Sequence, residues 1–398
     1  MQVALDIFRE AYDGSQMELH AEYPALSDLR AHAQKRIPKF VWEYLDSATG
    51  EERTKARNRK KLDELLFEPS ILHGEVKPDV SVAMLGQTYD IPVGIAPVGM
   101  SGLIWPGAEA QLAKAASASN IPYTLSTVAT QTPEDLSPYI EGKGWFQLYP
   151  PRDEGIRKDL LARAKSAGFA TLVLTVDVPT ASRRERQSRS GLTTPPKLTP
   201  RLLAQVAMRP AWALATAKSG MPRMKLIDDY AGQVTGMSST AHAGYLLRTS
   251  PDWEYVQWLR DHWEGTFVVK GVLRSEDAKC LEELGVDALW LSNHAGRQFD
   301  AAPAPIEVLP RIRADTELPL IVDSGFETGL DVLRALSLGA DFVMMGRGFH
   351  YALAALGAQG PAHLVDILKQ DLIANMGQLG LADLKDLPAK LRRFENPT

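Results

Sequence analysis

At 398 residues, 45% of them hydrophobic and 23% charged, the chain has the make-up of an ordinary globular protein. It is long enough for two or three average domains or for one α/β barrel with extensions. Its single cysteine, Cys280, excludes an internal disulfide and suits a reducing compartment. No stretch approaches the ~18 uninterrupted apolar residues of a membrane span, and the charges in MQVALDIFREAYDG argue against a signal peptide. The net charge of −5 hides an asymmetry: Arg183 to Lys225 holds ten basic residues and one acid, +9 against −14 for the rest.

Residues 1–90 read as a helical preface. Asp28 to Ala33 and Lys39 to Asp46 have helical spacing, and Pro38 sits where a helix could begin. Tyr44 falls here, and on pattern alone its role is packing.

From Ile91 short apolar strands alternate with amphipathic helices. VGIAPVG is followed by a helix over about 107–119, then come YTLST, WFQLY and TLVLTVD. After a long interruption follow TFVVKG, ALWLSNH, LPLIVDSG and DFVMMGR. Eight such units predict an α/β fold of the (β/α)8 TIM-barrel type, with the barrel over 91–355 and helices over 356–398. A repeat supports the count: Gly168, Gly285 and Gly339 each stand seven residues before a strand end, as left-handed helix caps would. A doubly wound open sheet shows the same alternation; eight units favour closure.

In a barrel, chemistry sits at the C-terminal strand ends. Those ends read Pro97-Val98-Gly99, Ser126, Gln147 with Tyr149, Thr175 with Asp177, Lys270, Ser292 with His294, Asp323 to Gly325, and Gly346-Arg347. Polar residues at i and i+2 share one strand face, which a dry core would avoid, since a buried polar group without a partner costs ~1–3 kcal/mol. They argue for a large polar ligand over the mouth, and DSG and GR, after strands seven and eight, occupy the common phosphate position. In ALWLSNHAGRQFD, His294 can take a proton and Arg297 can grip a carboxylate. The plain alternative is a loop histidine and a surface arginine.

LSNHAGRQFD, with LTVDVPTASRRE, WFQLY, VVKG and VDSG, resembles the FMN-dependent 2-hydroxy-acid dehydrogenase and oxidase family. The likeness runs from about residue 38 to 355, and GLIWPGAEAQLAKAASASNIPYTLST looks nearest the bacterial (S)-mandelate and L-lactate dehydrogenase branch. The resemblance implies one domain over 1–398, and oxidation of an L-2-hydroxy acid to the 2-oxo acid with FMN as electron acceptor. It implies His294 as catalytic base, Asp177 as the carboxylate steadying it, and Arg184 and Arg297 as the substrate-carboxylate clamp. Tyr44 and Tyr149 would bond the substrate's oxygens, and Lys270 would sit beside flavin N1 and O2. Pro97, Val98, Gly99, Ser126, Gln147, Thr175 and Ser292 would contact the isoalloxazine and ribityl, and Asp323, Gly325, Gly346 and Arg347 the ribityl-phosphate end. No metal or nucleic-acid partner is expected. A homotetramer is expected by the same likeness.

Two positions depart from the family pattern. In DSGFETG, Glu327 stands where the family usually has an arginine or lysine for the FMN phosphate, so either Glu327 turns away or Arg347 and backbone amides carry the load. Ala295 stands where the mandelate and lactate branch usually has a glycine, and its methyl is expected to be tolerated. Val128 replaces the tryptophan of glycolate oxidase, which with Gly99 suggests a roomier pocket; ordinary core packing is the alternative.

The interruption over about 185–250 is too long for a plain loop. Within 192–225, LTPRLLAQVAMRPAWALATAKSGMP is apolar and basic without an acid, which suits an anionic membrane surface. It resembles the insert by which mandelate and lactate dehydrogenases meet the inner membrane and pass electrons to quinone. The expected location is therefore cytoplasmic, peripheral on the inner face of the cell membrane. The alternatives are a mobile lid, a subunit contact, or a soluble oxidase that uses dioxygen and releases hydrogen peroxide.

Overall fold

The structure, a computed structural model, describes residues 14–191, 199–230 and 250–392. Three preface helices reach the barrel mouth: α1 (Leu26–Arg36), α2 (Lys39–Asp46) and α3 (Arg53–Asp63). Pro38 caps α2, where its missing N–H costs nothing. The preface is not helical throughout. Leu66–Phe67 pairs antiparallel with Leu391–Arg392, and Val82–Met84 forms a hairpin with Gln87–Tyr89. Leu85 and Gly86 make its two-residue turn with φ of 49° and 75°, the left-handed pair that tight hairpins favour.

Eight parallel strands follow: β1 (Val93–Ile95), β2 (Thr124–Ser126), β3 (Gly144–Leu148), β4 (Phe169–Thr175), β5 (Thr266–Val272), β6 (Ala288–Leu291), β7 (Leu320–Val322) and β8 (Phe342–Met345). Each from β3 to β7 pairs with both its neighbours in sequence, and β8 pairs back onto β1 through Val343 and Val93. A bridge between Ile95 and Tyr123 joins β1 to the approach to β2. An open sheet would leave β1 or β8 at an edge; here both are flanked, so the ring closes. The glycine repeat does what its spacing implies. Gly168, Gly285 and Gly339 have φ of 92°, 74° and 98°, and each amide donates to the carbonyl three residues back.

Aromatic side chains fill the barrel. Trp145 and Trp290 meet edge to face at 6.4 Å, Tyr89 of the hairpin packs on Phe342 at 5.5 Å, and all four are buried. The hairpin belongs to this interior cluster, which explains why it leaves the helical pattern. Directly above, Lys270 Nζ lies 5.4 Å from the Trp290 ring centroid, so the polar mouth rests on a dry floor.

Two insert helices, α4 (Pro200–Ala207) and α5 (Pro210–Ser219), dock onto the preface and the segment after β1. Gln205 Oε1 accepts from the Phe40 amide at 2.9 Å, and Arg209 Nε donates to Ile37 O at 3.2 Å. Trp212, 4% exposed, donates to Leu103 O at 3.1 Å and packs edge to face on Phe40. Lys197 lies outside the described residues. After β8, α6 (Arg347–Leu356) packs on α1, and α7 (Gly360–Leu379) follows.

Trp290→Ala removes a fully buried indole from this floor and should cost about 3–5 kcal/mol of stability. Chemical denaturation of the two proteins measures it; a loss below ~1 kcal/mol would mean the barrel floor is not close-packed.

Candidate active site

A cavity of about 1500 Å³ opens at the C-terminal ends of the strands. That exceeds the ~300–1,000 Å³ of a usual small-molecule pocket and leaves room for two ligands side by side. It is bounded by the barrel mouth, by α1 to α3 and by the insert helices.

One side of it carries a histidine–aspartate pair and a buried lysine. Asp177 follows β4 and His294 follows β6; Asp177 Oδ1 and His294 Nδ1 are 2.8 Å apart. The ionised carboxylate accepts, so Nδ1 carries the proton and Nε2 remains an acceptor. Burial would raise the Asp177 carboxyl, but Lys270 and His294 hold it down at about 2. Burial pushes the His294 imidazole below its usual range, Asp177 opposes that, and Lys270 and Arg184 add to it. The imidazole is therefore neutral at physiological pH. Lys270, on β5, stands 3.5 Å from Asp177 Oδ2 and 3.3 Å from Asp323 Oδ2, and donates to Ser292 Oγ at 2.7 Å. Burial would lower its ammonium, but the two carboxylates and Tyr149 raise it.

The strand alternation expected for Ser292 and His294 is not what places them. β6 ends at Leu291, and His294–Gly296 is a single 3₁₀ turn. The His294 amide donates to Ser292 Oγ at 3.0 Å, so the serine ties the turn to the strand. His294 and Ala295 both take φ of 53°, a left-handed conformation that costs an L-residue ~1–2 kcal/mol. The turn is held by Asn293, whose Oδ1 accepts from Gly296 N at 3.1 Å and whose amide pairs with Asn58 of α3. Gly296 must be glycine for another reason: a Cβ there would stand 2.7 Å from the Lys55 amide.

The other side is cationic. Arg184 and Arg297 both border the cavity, with Tyr44 and Tyr149. Arg297 Nη1 donates to Tyr44 O at 3.0 Å and Ser47 O at 2.7 Å. Burial, then the nearby Arg184 and Arg347, push its guanidinium down to about 9, the mark of crowded cations awaiting an anion. Tyr44 donates to Gly99 O at 2.8 Å; burial raises its phenol and that of Tyr149, the latter to about 12. Both stay protonated donors. Arg184 has φ of 46°, and its Nε reaches Ser182 Oγ at 3.1 Å. Val128 and Gly99 face each other across the pocket wall, and a Cβ on Gly99 would come 2.5 Å from Val128 Cγ2.

Pro97, Val98, Gly99, Asp323, Gly325, Gly346 and Arg347 border the same cavity. Ser126, Gln147 and Thr175 are buried on their strands and Ser292 just past the end of β6, all off its lining. Two of these carry orphans: Gln147 Nε2 and Thr175 Oγ1 are buried with no hydrogen-bond partner among the described residues. Sequence reading missed His350, buried between Ser101 Oγ and Gly346 O at 2.8 Å each, which braces the β1 and β8 ends. It also missed Asp46, which Arg30, Lys55, Arg186 and Tyr351 converge on. Neither had a local motif to find it by.

A closed barrel whose mouth combines a histidine–aspartate pair, a buried lysine and two clustered arginines is the frame of an enzyme acting on an anionic ligand. Residues 33–393 match the family of FMN-dependent dehydrogenases, and the chain belongs to it. An L-lactate dehydrogenase of Ectopseudomonas mendocina is 38% identical over 374 residues, covering 92% of this chain and 98% of that one. The crystal structure of a monotopic membrane protein, (S)-mandelate dehydrogenase, superposes with a TM-score of 0.88 at 34% identity, over 93% and 99% of the two chains. A mandelate oxidase gives 0.77 at 29% identity, over 93% and 98%. The cofactor is FMN, and the residues present fit it: the orphaned Gln147 and Thr175 atoms sit at adjacent strand ends, and Lys270 offers a buried cation at the mouth.

Ala295→Gly should relieve the left-handed strain and raise stability by roughly 0.5–1 kcal/mol, after allowing for the looser unfolded chain. Urea unfolding decides it, and a destabilised variant would show that the methyl's packing outweighs its backbone cost.

Proposed function

We propose that the chain oxidises an L-2-hydroxy acid of the lactate or mandelate kind to the 2-oxo acid, with electrons passing from FMN to a membrane quinone. The observation that carries the reading is the 2.8 Å His294–Asp177 pair in a cavity shared with Arg184 and Arg297. FMN, when bound, supplies the acceptor for two electrons that no side chain can provide. Arg184 and Arg297 hold the substrate carboxylate and thereby fix C2 and its hydroxyl. Tyr44 and Tyr149 donate to the substrate's oxygens. His294 takes the substrate proton at Nε2, and Asp177 stabilises the imidazolium through Nδ1. Lys270 balances the buried carboxylates and offers its charge where negative charge develops.

The insert supports the quinone. Met208 and Leu214 are 62% and 65% exposed and, like the exposed Arg201 and Lys218, lie off the cavity lining. Among the described residues Arg201 and Lys218 have no acidic partner. An apolar patch with basic flanks suits the headgroup boundary of an anionic leaflet, placing the protein peripherally on the inner face of the cell membrane. No helix among the described residues is long and apolar enough to cross a membrane. A homotetramer is part of the same reading. The second reading, a dioxygen-using oxidase, is favoured by the similarity to a mandelate oxidase.

Anaerobic mixing with a panel of 2-hydroxy acids should bleach the flavin spectrum, with its rate falling on an acid limb centred below pH 6.5, since burial lowers the His294 pKa and protonation removes the base. His294→Ala should keep FMN, slow bleaching by ~10²–10⁴-fold and lose that limb. A variant that bleaches at the wild-type rate rejects the assignment.

The wild type should sediment with anionic vesicles, less so as salt rises. Replacing Arg201, Lys218, Met208 and Leu214 by serine should abolish sedimentation and quinone reduction while soluble dyes are still reduced. Rapid turnover with dioxygen alone would favour the oxidase.

A further inference from the structure

The loop after β7 reads DSGFETG, so an acid, Glu327, occupies the place where the family resemblance implies a cation for the cofactor phosphate. Glu327 is exposed, borders the large cavity and acts electrostatically on Arg30. It does not turn away to a remote surface. The phosphate therefore meets a carboxylate near its site, and compensating charge must come from elsewhere.

The missing charge stands on α3. Lys55 borders the same cavity, 24% exposed, and its Nζ donates to Asp46 O at 2.6 Å and Asp46 Oδ2 at 3.1 Å. Burial, and then the Arg347 guanidinium, push its ammonium down, which places Lys55 and Arg347 close enough to repel. Asp46 and Glu52, the latter 3.7 Å from Lys55 Nζ, do not fully offset this, because Arg30 at 2.7 Å, Arg186 at 2.9 Å and Tyr351 at 2.8 Å share Asp46 and Arg186 also binds Glu52 at 2.9 Å. α3 is also fixed against the phosphate loop: Arg59 donates to Gly325 O at 3.2 Å and to both oxygens of Asp331. Arg347, for its part, opens α6 beside Gly346 and is tied to Leu45 O and Ser47 O.

We propose that Lys55, with Arg30, supplies the cationic contact to the FMN phosphate that position 327 lacks, so that the phosphate is held between the N-terminal helices and Arg347. The proposal rests on FMN as the cofactor. A dianion between Lys55 and Arg347 relieves their repulsion and makes charge-assisted bonds to both. It also makes the preface part of the cofactor site, where pattern alone had made it packing.

The test compares FMN with riboflavin, which has the same ring and ribityl chain and no phosphate. Apoprotein is titrated with each, following flavin fluorescence. Lys55→Met should weaken FMN by about tenfold or more, as expected for one lost charge-assisted bond, and change riboflavin by less than about twofold. Arg30→Gln should show a smaller loss with the same selectivity. Lys55→Arg, which keeps the charge, should keep the preference for FMN. Adding Glu327→Arg to Lys55→Met should restore FMN affinity without altering riboflavin. Equal losses for both flavins, or FMN binding untouched by Lys55→Met, would overturn the proposal. A wild type that binds neither flavin would overturn the cofactor reading, and this proposal with it.

Discussion

The bond between His294 Nδ1 and Asp177 Oδ1 is the contact on which the mouth of the barrel depends, because it couples two strand ends through a buried charge. Asp177 is 10% exposed and could not stay ionised alone; Lys270, 5% exposed, could not either. By formal charge the cluster of Asp177, Asp323 and Lys270 carries one net negative charge while His294 is neutral. Taking a proton on His294 brings it to zero. The cluster thus favours the protonation that burial and the neighbouring arginines oppose, and the balance keeps the imidazole neutral at rest yet receptive.

The arginines make the complementary arrangement. Arg184 and Arg347 are near enough to depress Arg297, and Arg347 likewise acts on Lys55. Arg297, Arg347 and Lys55 are held by backbone carbonyls of 44–47, which limits how far they can spread apart. In the proposed reading that repulsion is relieved by anions, the substrate carboxylate at one end and the cofactor phosphate at the other. Asp46 and Glu52 offset the outer end of the row by pairing with Lys55 at 3.1 and 3.7 Å.

Much of the fold was legible because barrel strands and their glycine caps are local signals. Eight apolar runs, three left-handed glycines and polar strand ends could all be counted without knowing what touches what. The residues at the strand ends are indeed at one cavity or just behind it. What escaped was long-range or conformational. Asp46 gathers partners from positions 30, 55, 186 and 351, and nothing near it in sequence announces that. The left-handed turn at His294 and Ala295 contradicts the strand alternation used to pair Ser292 with His294, since a strand-like string was read past the end of the strand. The hairpin over 82–89 was folded into a helical preface because its three-residue strands are too short to show a period. In the insert, composition revealed the charge, but only Gln205, Arg209 and Trp212 in place reveal which face is used for docking.

The docked face bears on what the insert is for. Helices that merely covered the cavity would bury their large apolar residues on one side and present polar ones to water. Here Leu202, Gln205, Trp212 and Thr216 turn inward, and Trp212 fixes α5 to the loop after β1. The outward face still presents Met208 and Leu214, while the exposed Leu203 borders the cavity. Large apolar residues in solvent on helices whose Arg201 and Lys218 lack an acidic partner among the described residues fit a second surface. Because the inner face of the same helices borders the cavity, whatever meets the outer face stands one helix thickness, about 10 Å, from the ligand site. The insert thereby joins the two halves of the proposed reaction, the acid entering the barrel and the acceptor outside it.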